Sequence, residues 1–426
     1  MNSRERVALA LNHQEPDYSP LDLGASAVTG MQVSSVYLLR QALKLDPPGT
    51  PVKVVEPYQM LGEIAADLMD ALGVDVVGLG GRKTLFGFRN EGWKPWALFD
   101  GTPVLVPTGF NTEPEPDGSI LMYPEGDRAA PPSGRMPAGG YYFDTIIRQE
   151  PIDDANLNPA DNLEEFGPIS DDDLAHFGRE AERLYTQTDK AILANFGGTA
   201  FGDIALVPGP WMKHPKGIRD VAEWYMSTVS RRDYVWQVFE RQCEIGLANL
   251  ARIHDVVGER AAAVFVTGTD FGQQHSAFIS RKAYRGLFMP FHKAVNDWIH
   301  QHTTWKSFIH SCGSVISLIP DFIEAGFDIL NPVQTSAAGM DPRQLKARFG
   351  KEITFWGGGV DTQRILPFGA PGDVRRDVSE RISIFAPGGG FVFNTIHNVQ
   401  ARVPAANLLA LYDAIQQTRP AQARRF

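Results

Sequence analysis

From Ala191 onward, short apolar runs of strand length alternate with longer stretches whose apolar residues recur at helical spacing. The runs are AILANF, AAVFVT, WKSFIH, FDILNP, ITFWGG and GFVFNT. Between them lie charged segments such as VAEWYMSTVSRRDYVWQVFERQCEIGLANLARI, KAYRGLFMPFHKAVNDWIHQH and DVRRDVSERISIF. This alternation predicts βα units around a parallel sheet, because strands covered on both faces by helices are apolar throughout. Two earlier runs, SPLDLG around Leu21 and VDVVGL around Val76, bring the strand total to eight. The segment EIAADLMDAL ahead of the second has helical periodicity. Eight such strands predict an α/β protein of the (β/α)8 TIM-barrel type, one domain over residues 1–426. The open doubly wound sheet is the alternative, but no G-x-G-x-x-G follows the first strand.

Over residues 82–168 the alternation stops, and the chain is dense in Pro, Gly and aromatics. The Asp117-Gly118 pair between two short apolar runs signals a hairpin, since glycine accepts the positive φ of such turns. We expect a β-rich insertion there, near the N-terminal third of the chain. It serves either as a lid over the catalytic mouth or as a surface elaboration, for example a homodimer contact. Trp93, Trp96, Tyr141, Tyr142 and Phe143 read as a small local core of that insert, the alternative being an aromatic pocket lined from it.

Composition narrows the class. Hydrophobic residues make up 43% and charged residues 21%, ordinary values for a globular protein. No apolar run is long enough to span a bilayer, and MNSRERVALALN reads as an amphipathic first helix, not a signal peptide. The two cysteines, Cys243 and Cys312, exclude a disulfide framework and suit a reducing cytoplasm. The net charge of −10 argues against nucleic acid as the main partner.

In a TIM barrel the polar residues just after each strand point into the catalytic mouth. They are Asn195, Asp270, His310 with Cys312, Gln334, Asp361 and His397. His310 and Cys312 stand two apart at a strand end, so imidazole and thiolate face the same way and can share one ion. Zinc suits mixed nitrogen and sulfur ligation, with three protein ligands and one open position in catalytic sites. The glycine runs 357–359 and 388–390 are tight turns or places of close backbone approach, with no P-loop lysine following. His254, His275, His292, His300 and His302 lie on or near helices and read as surface or helix-end residues.

HSCGS, the opening RERVALALNHQEPDYSPLDLG and the late HNVQARVPAANLLALYDA together resemble the uroporphyrinogen decarboxylase superfamily. The closer likeness is to its corrinoid-dependent methyltransferases, among them methylcobamide:coenzyme M and O-demethylase methyltransferases. In that branch an H-x-C motif and a later cysteine hold zinc. His310 and Cys312 match the motif, but Cys312 is the last cysteine in the chain. His397, ahead of VPAANL, occupies the place of the later cysteine. The resemblance therefore implies His310, Cys312 and His397 as zinc ligands, with Asp270 a fourth candidate.

It also implies a methyl group moved between a small-molecule donor or acceptor and the cobalamin of a separate corrinoid protein, since no D-x-H-x-x-G signature occurs here. Asp270 or Asp361 would handle a proton or orient the substrate, and Asn195 and Gln334 would supply hydrogen bonds. One thiolate with two neutral imidazoles leaves the site a formal charge near +1, which favours an oxygen-bound methyl as donor, as in O-demethylation. The alternative is a cofactor-free decarboxylase on the same barrel, which would leave the metal motif idle and lacks its arginine-rich signature here.

Overall fold

The computed structural model describes residues 1–164, 166–196 and 201–425. Seven parallel strands form one sheet: β1 (Val76–Leu79), β2 (Ala191–Ala194), β3 (Ala263–Thr267), β4 (Lys306–His310), β5 (Ile329–Asn331), β6 (Thr354–Trp356) and β7 (Phe391–Val392). They lie side by side in sequence order. Helices follow the strands, among them Arg232–Val257 after β2, Met289–His302 after β3 and Pro371–Phe385 after β6. The sheet curls, as in a TIM-like barrel. Leu21 makes a parallel bridge to Phe393 beyond β7, and its carbonyl accepts the Asp75 amide just before β1 at 2.7 Å. One residue thus touches both edges. Among the described residues, no helix is long and apolar enough to cross a membrane.

The strict period of two along each strand divides the core. Val76, Ala191, Leu193, Ala263, Phe308, Ile329, Trp356 and Val392 pack inside the curl, where Val7, Ala10 and Leu11 of the first helix, Ser3–Leu11, join them. The intervening Val77, Ile192, Ile309, Leu330 and Phe391 pack outward with the helices. The first helix is tied down by a buried ion pair, Arg6 Nη1 to Asp75 Oδ1 at 2.6 Å. Asp75 also accepts from Ser3 Oγ at 2.8 Å and the Leu21 amide at 2.9 Å, so its role is structural.

Between β1 and β2 lie short antiparallel strands, including a four-stranded meander of Thr112–Pro114, Ile120–Met122, Gly134–Met136 and Asp144–Thr145. Gly118, φ +81°, sits in the turn joining the first two. The β structure starts earlier than residue 82, however. Val52–Glu56 pairs in parallel with Pro103–Val106, so residues ahead of β1 already belong to this region. Trp96 and Phe143 both pack on Phe110, with ring centroids 5.2 and 5.9 Å away. His292 departs from a surface reading. It is fully buried among Phe201, Phe271, Tyr284 and Phe327, and burial lowers its pKa to about 3.

Candidate metal centre

His310 follows Phe308 on the inward face of β4, so its ring enters the top of the barrel interior. Its Nδ1 lies 2.6 Å from Asn331 Oδ1, and Asn331 Nδ2 donates to the Trp356 carbonyl at 2.8 Å. Because the amide nitrogen is committed to a carbonyl, the oxygen must accept, and His310 carries its proton on Nδ1. Nε2 is left as a lone-pair donor toward the cavity. Cys312 Sγ lies 3.4 Å from that Nε2. His397, beyond β7, brings its ring centroid to 5.6 Å from that of His310.

One ligand atom from each of His310, Cys312 and His397 falls within 4.8 Å of the others. Among the described residues this is the one such group of three or more side chains. Tetrahedral zinc would set sulfur and nitrogen about 3.5 Å apart, so the His310–Cys312 pair already has the required spacing. Burial holds the pKa of His310 and His397 down to about 4, each imidazole thus being neutral and ligand-competent near pH 7. Burial, with Asp270 beside it, pushes the Cys312 thiol well up, a burden that a bound dication would reverse. The donor set fits zinc.

The loop carrying Cys312 is closely braced. Asp270 Oδ1 accepts the Cys312 amide at 2.6 Å, and Gln334 Oε1 accepts the Gly313 amide at 2.8 Å. Gly313 has φ +85°, and a Cβ there would sit 2.3 Å from the Gly272 carbonyl carbon. Only glycine fits both the conformation and the space. Gly313→Ala is expected to lower stability by at least about 2 kcal/mol in urea unfolding. A variant as stable as the parent would mean the two loops are not pressed together in solution.

These side chains border a cavity of about 850 Å³. Asn195, Asp270, His310, Cys312 and His397 all line it. Gln334 and Asp361 do not. Gln334 braces the Cys312 loop, and Asp361 Oδ1 caps a turn by accepting the amides of Gln363 and Arg364 at 2.8 and 2.9 Å. None of the insert's five singled-out aromatics lines the cavity; Lys83, Asn90, Asp144 and Ile147 do instead. Strand-end reasoning missed Asp203, Glu56, Tyr58, Asp144 and Trp211, which line the cavity from loops or from other sheets, and also Asn331, which orients His310. Asn331 was within reach, being the polar end of the run FDILNP. Asp203 is partly buried, and its pKa rises to about 7, first through burial.

A parallel barrel with a cluster of imidazole, thiol and imidazole at its mouth defines the class. Residues 222–418 match the family described as Uroporphyrinogen decarboxylase (URO-D), a stretch that holds all three candidate ligands. No curated protein matches the chain by sequence. Among solved structures the chain is similar to one described as a methyltransferase from Methanosarcina mazei, with TM-score 0.54 and 14% identity over 98% of this chain and 99% of that one. That likeness is one of fold. The family match is thus confined to the C-terminal part of the chain, and the full-length likeness shows the fold.

Proposed function

We propose that this protein is a methyltransferase that holds one zinc ion on His310, Cys312 and His397 and exchanges a methyl group between a small substrate and a separate corrinoid protein. The supporting observation is the convergence of those three ligand atoms, within 4.8 Å, on the wall of a substrate-sized cavity. When bound, zinc supplies a Lewis acid beside the methyl-bearing atom, in our reading an oxygen. Asn331 fixes the His310 tautomer, and Asp270 fixes the Cys312 backbone. Asp270 and Asn195 face the cavity, where we assign Asp270 to orienting the substrate or holding a proton, and Asn195 to hydrogen bonding. We assign no contact with substrate to Gln334 or Asp361.

The decarboxylase alternative fits the lining poorly. Its substrate carries many carboxylates, whereas the cavity presents Glu56, Asp144, Asp203 and Asp270 against Lys83 as its one lysine or arginine among the described residues. As for the metal, purified protein is expected to carry about one zinc per chain by elemental analysis. Chelation should abolish methyl transfer to added cob(I)alamin, and zinc should restore it. Metal-free protein with chelator-insensitive turnover would end this reading.

A further inference from the structure

The charge of the cavity wall says something about what enters it. Asp270 is bonded to the Cys312 amide and belongs with the proposed metal site. Glu56 and Asp144 come from different strands, Val52–Glu56 and Asp144–Thr145, and among the described residues neither is in a salt bridge. Both carboxylates act on the Tyr58 phenol, which ties the three groups to one locality. Phe143, next to Asp144, donates its amide to the Tyr58 carbonyl at 2.9 Å, fixing the two segments together. Trp211 and Phe265 add further aromatic rings to the lining.

Glu56 is partly buried, and among the described residues it accepts backbone amides, from Tyr58 at 2.9 Å and Gln59 at 2.7 Å. Burial raises its pKa to about 7, the behaviour of a carboxylate with no cation to hold it. The lysine in the lining, Lys83, acts on Asp173 on the helix Asp171–Gln187. Acid groups beside aromatic rings in a cavity attract an organic cation both by Coulomb attraction and by the ring quadrupole.

We infer that the substrate carries a positively charged nitrogen, a quaternary or protonated amine, held by Glu56 and Asp144 beside the ring of Tyr58. As a substrate class this rests on the methyl-transfer reading of the cavity; as a binding site it does not. Titration calorimetry on the zinc-loaded full chain tests it with choline and its neutral isostere 3,3-dimethyl-1-butanol. Choline is expected to bind at least about tenfold more tightly. Glu56→Gln and Asp144→Asn should each reduce choline affinity by about fivefold or more and leave the isostere unchanged. Asp144 is solvent-exposed, so its variant tests the site even if Glu56→Gln unfolds. Asp255→Asn, on the exposed face of the helix Arg232–Val257, should change nothing. Equal affinity for cation and isostere, no choline binding, or choline binding indifferent to Asp144→Asn overturns the inference. Selective choline binding by protein that never methylates cob(I)alamin would keep the cation site and discard the methyltransferase reading.

Discussion

Replacing Cys312 with alanine is expected to strip the proposed zinc ion and cut the proposed methyl transfer at least about a thousandfold, the scale of several kcal/mol that a Lewis acid contributes. The thiolate is the sole anionic ligand in the set, so two neutral imidazoles would be left to hold a dication in a buried site. A graded comparison comes from Asn331→Leu. It leaves all three ligands in place but deletes the acceptor of His310 Nδ1–H, freeing the ring to turn and to change tautomer. Zinc affinity should then fall by about ten- to a hundredfold, with turnover recovering at high zinc. Competition with a chelating dye separates the two variants. Were both to bind zinc like the parent, the metal would lie elsewhere, and the His310–Cys312 spacing would be coincidence.

That spacing was legible because it is local. A strand fixes the direction of every second residue, so H-x-C at the end of an apolar run names two neighbours without knowledge of the fold. His397 is 85 residues further on; the strand-end rule put it at the mouth, the family resemblance made it a candidate ligand, and the barrel brings it beside His310. Asp361 marks where strand-end reasoning fails. The rule locates the correct end of the barrel, but the direction of a side chain past the strand depends on the amides it meets. Those of Gln363 and Arg364 capture Asp361 as a cap.

Less of the fold's periphery was legible. The Val52–Glu56 run finds its partner about fifty residues away in Pro103–Val106, a pairing that no local pattern encodes. Glu56 and Asp203 joined the cavity for the same reason, since each sits in a segment whose course is set by distant contacts. The seventh and first strands meet through the short segment 20–22, where Pro20 has no amide to extend the ladder further. His292 looked like one of several helix histidines. Its fully buried position reflects the aromatic residues of other elements that surround it.

The identity of the ligand at position 397 carries the largest consequence for the reaction. In our reading His397 is the third zinc ligand, and it sets the charge of the site where relatives supply a second thiolate. His397→Cys is expected to keep zinc, since a thiolate is a competent ligand, while adding one negative charge to a cavity that already faces Asp270 and Asp203. An oxygen-bound methyl should then be transferred at least about a hundredfold more slowly, because the departing oxygen gains less stabilisation. A thiol-bound methyl should suffer far less, its leaving group needing less help. His397→Ala should fail differently, losing metal, because one of three ligands is gone. Zinc content alongside single-turnover rates with a methyl ether and a methyl thioether distinguishes these outcomes. Full zinc and parental rates in both variants would reduce His397 to a bystander and remove the argument for an oxygen-bound donor. Equal slowing of ether and thioether by His397→Cys would keep the ligand and discard that argument alone.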